Sequence, residues 1–235
     1  MPDRPSPSAT EIQAIFDRIA PVYDRLNHDL SFGLHHVWKT MTVKWCEPKP
    51  GDLALDLCCG SGDLTFILAK QVGATGKTIG LDFSPRLLDI ARQRALDRPE
   101  LNLDWIEGNA LDLPFADNTF DCATMGYGLR NVVDIPKCLA EVHRVLKPGA
   151  RAAILDFHES EEPIARLFAR WYLHSIVVPT ARRHGLTDEY AYISPSLDRF
   201  PTGKEQVKLG YSAGFSRAVH YPIASGMMGV LVLVK

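Results

Sequence analysis

The residues best placed to do chemistry lie close together: Asp56, Gly60, Gly62 and Thr65 all fall within LALDLCCGSGDLT, Leu53 to Thr65. Leu53 to Leu57 has the length and apolar content of a buried parallel strand. The two glycines give a turn whose backbone a ligand can approach closely, and a helical pattern follows. Such a strand, turn and helix start holds nucleotide-like ligands against the backbone. A dinucleotide turn carries a third glycine where Thr65 stands here. Asp56, four residues before Gly60, would repel a pyrophosphate but suits a ligand bearing an ammonium and a sulfonium.

A second acid, Asp82, ends the next strand, KTIGLD, Lys77 to Asp82. It stands about twenty residues past the turn, where a carboxylate accepts both hydroxyls of an adenosine ribose. Ser84 and Pro85 then start a helix as cap and first residue. LNLDWIEG, Leu101 to Gly108, reads as the third strand and FDCATMGYG, Phe120 to Gly128, as the fourth. Arg130 and Asn131 lie just past the carboxyl end of that strand, the end at which open α/β sheets bind ligands. The helix DIPKCLAEVHRVLKPG and the strand ARAAILDF complete the alternation, ending at Asp156, Phe157 and His158. Strands alternating with helices predict an α/β fold around a parallel sheet.

The 235 residues suffice for one α/β domain with additions, and 26 basic against 28 acidic side chains, net −2, make no field for nucleic acid. Cys46, Cys58, Cys59, Cys122 and Cys138 form no CxxC pair and have no His or Cys at zinc spacing around Cys58 and Cys59, so reduced buried thiols and no metal are expected. The opening MPDRPSPSAT reads as a tail over residues 1–10 without a signal core. The longest apolar run, Gly226 to Val234, is far shorter than the roughly 20 residues of a membrane helix. It pairs instead with residues 215–222 as a closing hairpin.

Near the amino terminus Ile12, Ile15, Phe16, Ile19 and Val22 recur at helical spacing, and YDRLNHDLSFGLHHVW follows. Its Tyr23, Asp24, Asn27, Leu30, Ser31, His35 and Trp38 match the first signature of the UbiE/MenG family of quinone-precursor C-methyltransferases. Arg144 to Gly149 match the second, with Ala150, Asp156 and His158 departing from the usual Gly, Glu and Ser. The resemblance spans residues 11–235. It implies a class I S-adenosylmethionine-dependent methyltransferase: a Rossmann-like seven-stranded sheet with the last strand antiparallel, an N-terminal helical cap and a helical insertion before the closing strands. Along a single domain these become a cap over 11–46, a cofactor-binding core over 47–160, a lid or substrate insertion over 161–202 and a closing helix and hairpin over 203–235.

The resemblance further implies transfer of a methyl group from S-adenosylmethionine to a ring carbon of a reduced, prenylated quinol, at a cytoplasmic site that can touch a membrane peripherally. DLCCGSGDL, MGYGLRN, AILDF and HYPIASGMMGVLV are most like the cyanobacterial and plastid branch, which turns demethylphylloquinol into phylloquinol. A menaquinone or ubiquinone precursor is the alternative substrate. Cofactor contacts are implied for Asp56, Gly60, Gly62, Thr65, Asp82, Asn109 and Ala110, and for Gly126, where the family often has Ser. Leu113 and Phe115 would wall the adenine. Arg130 and Asn131 would orient the quinol oxygen, Tyr23 would close the site, and His158 is a second candidate for moving the proton. Trp171, Tyr172, Leu173, Ile176 and Val177 would face the prenyl chain, and a homodimer is left open. Two other classes compete: an NAD-dependent oxidoreductase, opposed by the missing third glycine, by Asp56 within the strand and by the absence of a Tyr followed four residues later by Lys, and a non-catalytic cofactor- or quinone-binding protein, opposed by Arg130 and both signatures.

Overall fold

The computed structural model describes residues 8–20, 28, 29, 31, 33–158, 179, 196, 197 and 199–235. Helix α1 (Ala9–Ile19) begins before the expected boundary at residue 11. Ser8 and Glu11 form a capping box, each side chain accepting from the other's backbone amide, so two otherwise orphaned donors are satisfied. Helix α2 (Leu34–Cys46) follows and buries Thr42, Val43 and Cys46.

The core then alternates as expected: β1 (Leu53–Leu57), α3 (Asp63–Val72), β2 (Lys77–Asp82), α4 (Pro85–Ala95), β3 (Leu103–Glu107), β4 (Phe120–Gly126), α5 (Ile135–Val145) and β5 (Leu146–Phe157). Ser84 caps α4 and Asp134 caps α5 through their side chains, each with a proline in the first turn. Strand β5 starts at Leu146, not at Ala150. Leu146 already pairs with Phe120, and Gly149, at φ +80°, absorbs the register shift that follows. Helix α6 (Gly203–Ser212) leads to β6 (Arg217–Ile223) and β7 (Met228–Val234). The expected Ala-Ser-Gly connection is a tight turn with Ala224 and Ser225 both left-handed, at φ +51° and +54°.

Seven strands form one sheet in the order β3-β2-β1-β4-β5-β7-β6. β1 pairs in parallel with β2 and β4, and β7 runs antiparallel to both β5 and β6, so the expected sheet is the one formed. From β1 the chain first builds outward through β2 and β3, then crosses to the other side for β4. The reversal opens a crevice above the carboxyl ends of β1 and β4, where such sheets bind ligands.

Both sheet faces are covered, so alternate residues of one strand enter different cores. Leu55 and Leu57 join Phe120, Met125, Leu139 and Val142 on one side. Ala54 joins Val43, Leu64, Leu68 and Leu155 on the other. Asp56 shares the parity of Ala54 and therefore points toward α3, not up into the crevice. All five cysteines are free, as expected. Among the described residues no helix is long and apolar enough to cross a membrane.

Candidate active site

A cleft of about 700 Å³, open mouth included, lies at the crevice. Its floor and walls come from the ends of successive strands: Cys58 and Gly60 past β1, Asp82 and Phe83 at the end of β2, Gly108 to Leu111 past β3, and Gly126 to Gly128 with Asn131 to Val133 at the end of β4 and beyond. Helix α1 closes one side. Gln13 Nε2 donates to the Phe83 carbonyl at 2.6 Å, the Ser84 hydroxyl donates to Asp17, and the Phe16 and Phe83 rings lie 6.3 Å apart.

Asp82 lies on the cleft, as the sequence reading placed it. Its Oδ2 accepts from the Gly60 amide at 2.8 Å and its Oδ1 from the Ser84 amide at 2.9 Å. Burial pushes its carboxyl up to about 6 against the pull of these amides. A carboxylate accepts about four hydrogen bonds, so with the Gly60, Ser84 and Phe83 amides engaged acceptor capacity remains for a ligand.

Asp56 and Thr65 are brought together, but away from the cleft. Asp56 is fully buried and accepts from the hydroxyls of Thr65 at 2.6 Å and Thr124 at 2.9 Å. The acid thus ties the first turn of α3 to β1 and β4 beneath the glycine turn. Gly60 is at φ +54° and lines the cleft. Gly62 is at φ +91° and does not: a Cβ there would lie 2.6 Å from Cη2 of Trp105, so its glycine serves the packing of that indole.

Desolvation raises the Asp56 carboxyl to about 7. Between its ordinary value of 3.8 and about 7 the folded chain holds a proton that the unfolded chain has lost, so stability falls as pH rises through this window. Asp56→Asn is expected to remove that dependence. Denaturation profiles at pH 6 and 7 should show a decline of about 1 kcal/mol over that pH unit in the native chain and a flatter one in the variant. Equal slopes would contradict the assignment.

Asn109 and Ala110 both line the cleft, and the Asn109 carboxamide accepts from the Leu111 amide at 2.9 Å, fixing the loop. The expected apolar wall is differently made. Leu113 is in the core and Phe115 packs edge-on against Phe120 at 4.8 Å, whereas Phe83, Leu87 and Leu111 face the cleft. Gly126 lines it too, and a Cβ there would meet Leu64 Cδ1 at 2.6 Å. A serine would need that leucine to move. Cys58 also faces the cleft, in a left-handed conformation at φ +51°. Burial raises its thiol well above the ordinary range, which rules against a thiolate nucleophile.

Arg130 and Asn131 form one short 3-10 turn, but they face different surroundings. The Arg130 side chain is 7% exposed; its Nε donates to Asp156 at 3.4 Å, its Nη1 to the Ser196 hydroxyl, and its guanidinium lies 5.0 Å from the Phe157 ring centre. The Arg130 amide also donates to Asp156, at 3.0 Å, so the acid grips both backbone and side chain. Asn131 lines the cleft. Its Nδ2 donates to the Tyr127 carbonyl at 2.9 Å, and its buried Oδ1 has no hydrogen-bond partner among the described residues.

His158 stands at the end of β5, with its ring 4.8 Å from that of His220, and is not among the cleft residues. Tyr23 and the wall expected from Trp171, Tyr172, Leu173, Ile176 and Val177 lie outside the described residues. The sequence reading missed Phe16, Phe83 and Tyr127 as cleft residues. Phe83 was open to inference, since it directly follows Asp82 where β2 leaves the sheet.

The chain matches the description "ubiE/COQ5 methyltransferase family" over residues 6–235. It is 63% identical over 96% of its length to a Nostoc sp. protein named 2-phytyl-1,4-naphtoquinone methyltransferase, covering 99% of that relative. A Synechocystis sp. protein of the same name is 57% identical, with 97% of each chain covered. An Arabidopsis thaliana protein named 2-phytyl-1,4-beta-naphthoquinone methyltransferase, chloroplastic, is 49% identical over 97% of this chain and 88% of its own. Among solved structures, a SAM-dependent methyltransferase from Thermotoga maritima superposes with a TM-score of 0.65 at 20% identity, covering 94% of this chain and 99% of its own. One from Aquifex aeolicus gives 0.60 at 20%, covering 83% and 88%. At that identity the two structures speak for the fold alone. The family match spans nearly the whole chain, and on it this protein belongs to the ubiE/COQ5 methyltransferase family.

Proposed function

We propose that the protein transfers the methyl group of S-adenosylmethionine to a ring carbon of reduced 2-phytyl-1,4-naphthoquinone, the demethylphylloquinol, to give phylloquinol. The observation that carries the substrate is the 49–63% identity, over nearly the whole chain, to relatives bearing that substrate's name.

The cleft residues fit the donor. Asp82 has acceptor capacity left for the ribose hydroxyls, Asn109 and Ala110 offer backbone and carboxamide groups to the adenine edge, and Phe83, Leu87 and Leu111 offer apolar faces to its ring. Gly60 and Gly126 expose backbone to the methionine end. Asp56, Gly62 and Thr65 act on the cofactor through the shape of the turn, since their side positions are engaged elsewhere. When bound, the sulfonium supplies an already activated methyl group and needs alignment more than activation.

The protein's task is then to hold the quinol in line and ease the loss of a proton from its ring hydroxyl, which makes the adjacent carbon nucleophilic. Asn131 Oδ1, buried at the cleft without a partner among the described residues, is the acceptor for that hydroxyl. Arg130 acts from behind. Through Asp156 it fixes the turn that aims Asn131.

A phytyl chain is drawn from lipid, so a peripheral contact with the membrane belongs to this reading. Flotation with liposomes containing the quinone would show it, and protein left wholly in the aqueous fraction would remove it. The head group is tested by offering methyl-labelled donor with the 2-phytyl naphthoquinol and a polyprenyl benzoquinol together. Label is expected in the naphthoquinone product; label only in the benzoquinone would replace the substrate.

A further inference from the structure

Outside the cleft, three imidazoles converge where α2 begins. Ligand atoms of His28, His35 and His36 all lie within 4.8 Å of one another. The chain brings them together by a reversal at Gly33, which sits at φ +77° and donates its amide to the His28 carbonyl at 3.0 Å. A Cβ at that glycine would lie 3.3 Å from Cε1 of His28, so the turn that returns the chain also leaves room for the ring. His28 and His36 are exposed, while His35 is 3% exposed.

The buried member is the informative one. Neither Nδ1 nor Nε2 of His35 has a hydrogen-bond partner among the described residues. A buried polar atom left unsatisfied is costly, and native structures carry few of them. Two more imidazoles adjoin it: the His36 ring lies 3.8 Å away centre to centre, and the His28 ring meets it nearly edge-on at 6.2 Å. Lys39, one turn on, does not leave a bare positive charge beside the cluster, because its ammonium is paired with Asp63 at 2.7 Å.

We infer that His28, His35 and His36 form a binding site for a first-row divalent cation of the zinc type, three imidazole nitrogens with a coordination position open to water. Neutral imidazoles suit Zn²⁺, Ni²⁺ and Cu²⁺ and not Mg²⁺ or Ca²⁺, which take oxygen ligands. Zinc sits about 2.0–2.1 Å from nitrogen, which puts tetrahedral ligands roughly 3.4 Å apart. The ligand atoms already lie within 4.8 Å of one another, and the closing movement falls to the exposed side chains of His28 and His36. A bound ion would clip residue 28 to α2, next to the stretch of sequence that carries Tyr23. The site lies apart from the cleft and takes no part in the methyl transfer.

The test uses the full chain without a polyhistidine tag, titrated with Zn²⁺ against a chromophoric chelator and, separately, with Co²⁺ followed by absorption. One equivalent of Zn²⁺ is expected to bind, and the Co²⁺ spectrum should lack the thiolate-to-metal band that cysteine ligation would produce. His28→Ala and His36→Ala alter exposed side chains and should keep the wild-type circular dichroism. Each should weaken Zn²⁺ by more than about 100-fold, the upper end of what losing even an outer-shell partner costs. No stoichiometric binding, a thiolate band, or binding that survives both substitutions would each overturn the site.

Discussion

Asp82→Ala is expected to weaken S-adenosylmethionine binding by roughly 100-fold or more, as read by calorimetry on the folded protein. Hydrogen bonds to a charged group contribute about 1.5–3 kcal/mol each, and the proposal gives this carboxylate two ribose hydroxyls. The substitution also strips an acceptor from the Gly60 and Ser84 amides. The glycine turn should loosen and the melting temperature fall, so affinity must be measured well below the melting point. Unchanged affinity in a folded variant would take Asp82 out of the cofactor site and leave the cleft without its acid.

The second large effect is expected at the turn formed by Arg130 and Asn131. Asn131→Ala should lower kcat by about 100-fold, the order seen when one preorganised polar group is removed from a reaction centre. Cofactor affinity should stay close to native. Arg130→Ala should lose turnover as well as stability, because Asp156, 3% exposed, is left as a buried carboxylate without its cation. Breaking such a pair costs about 3–5 kcal/mol, whereas replacing both partners by apolar groups is often neutral. The double variant Arg130→Met, Asp156→Leu therefore separates the two roles. Recovered stability with turnover still low would support a role in the reaction. Recovered turnover would reduce Arg130 to a packing residue.

Much of this was legible in the chain because each strand ends in its own signal. Asp82 closes a six-residue strand and precedes a serine cap and a proline, so its place at the mouth of the sheet could be read directly. Asp56 could not be placed in the same way. A five-residue strand buried on both faces shows no alternation, and which face an acid takes is decided by partners far along the chain, here Thr65 and Thr124. Gly62 looked like a ligand contact for a similar reason. Its neighbour across space is Trp105, on another strand.

The loops were harder still. After β3 the choice between Leu111 and Leu113 as the cleft wall depends on one turn held by the Asn109 carboxamide, and no periodicity marks it. The pairing of Arg130 with Asp156 spans 26 residues and two elements, and only the folded sheet, with β4 beside β5, sets them together. What the motif did carry was the neighbourhood: Arg130 and Asn131 stand just past the end of β4 as expected, with the asparagine on the cleft and the arginine behind it.

The central claim is methyl transfer to a ring carbon that becomes nucleophilic only in the quinol. The most direct measurement is transfer from methyl-labelled S-adenosylmethionine to 2-phytyl-1,4-naphthoquinone, before and after chemical reduction, with the labelled position found by nuclear magnetic resonance. The account predicts label on the ring carbon beside the hydroxyl, and only after reduction. Label on oxygen, or equal transfer to the oxidised quinone, would contradict it.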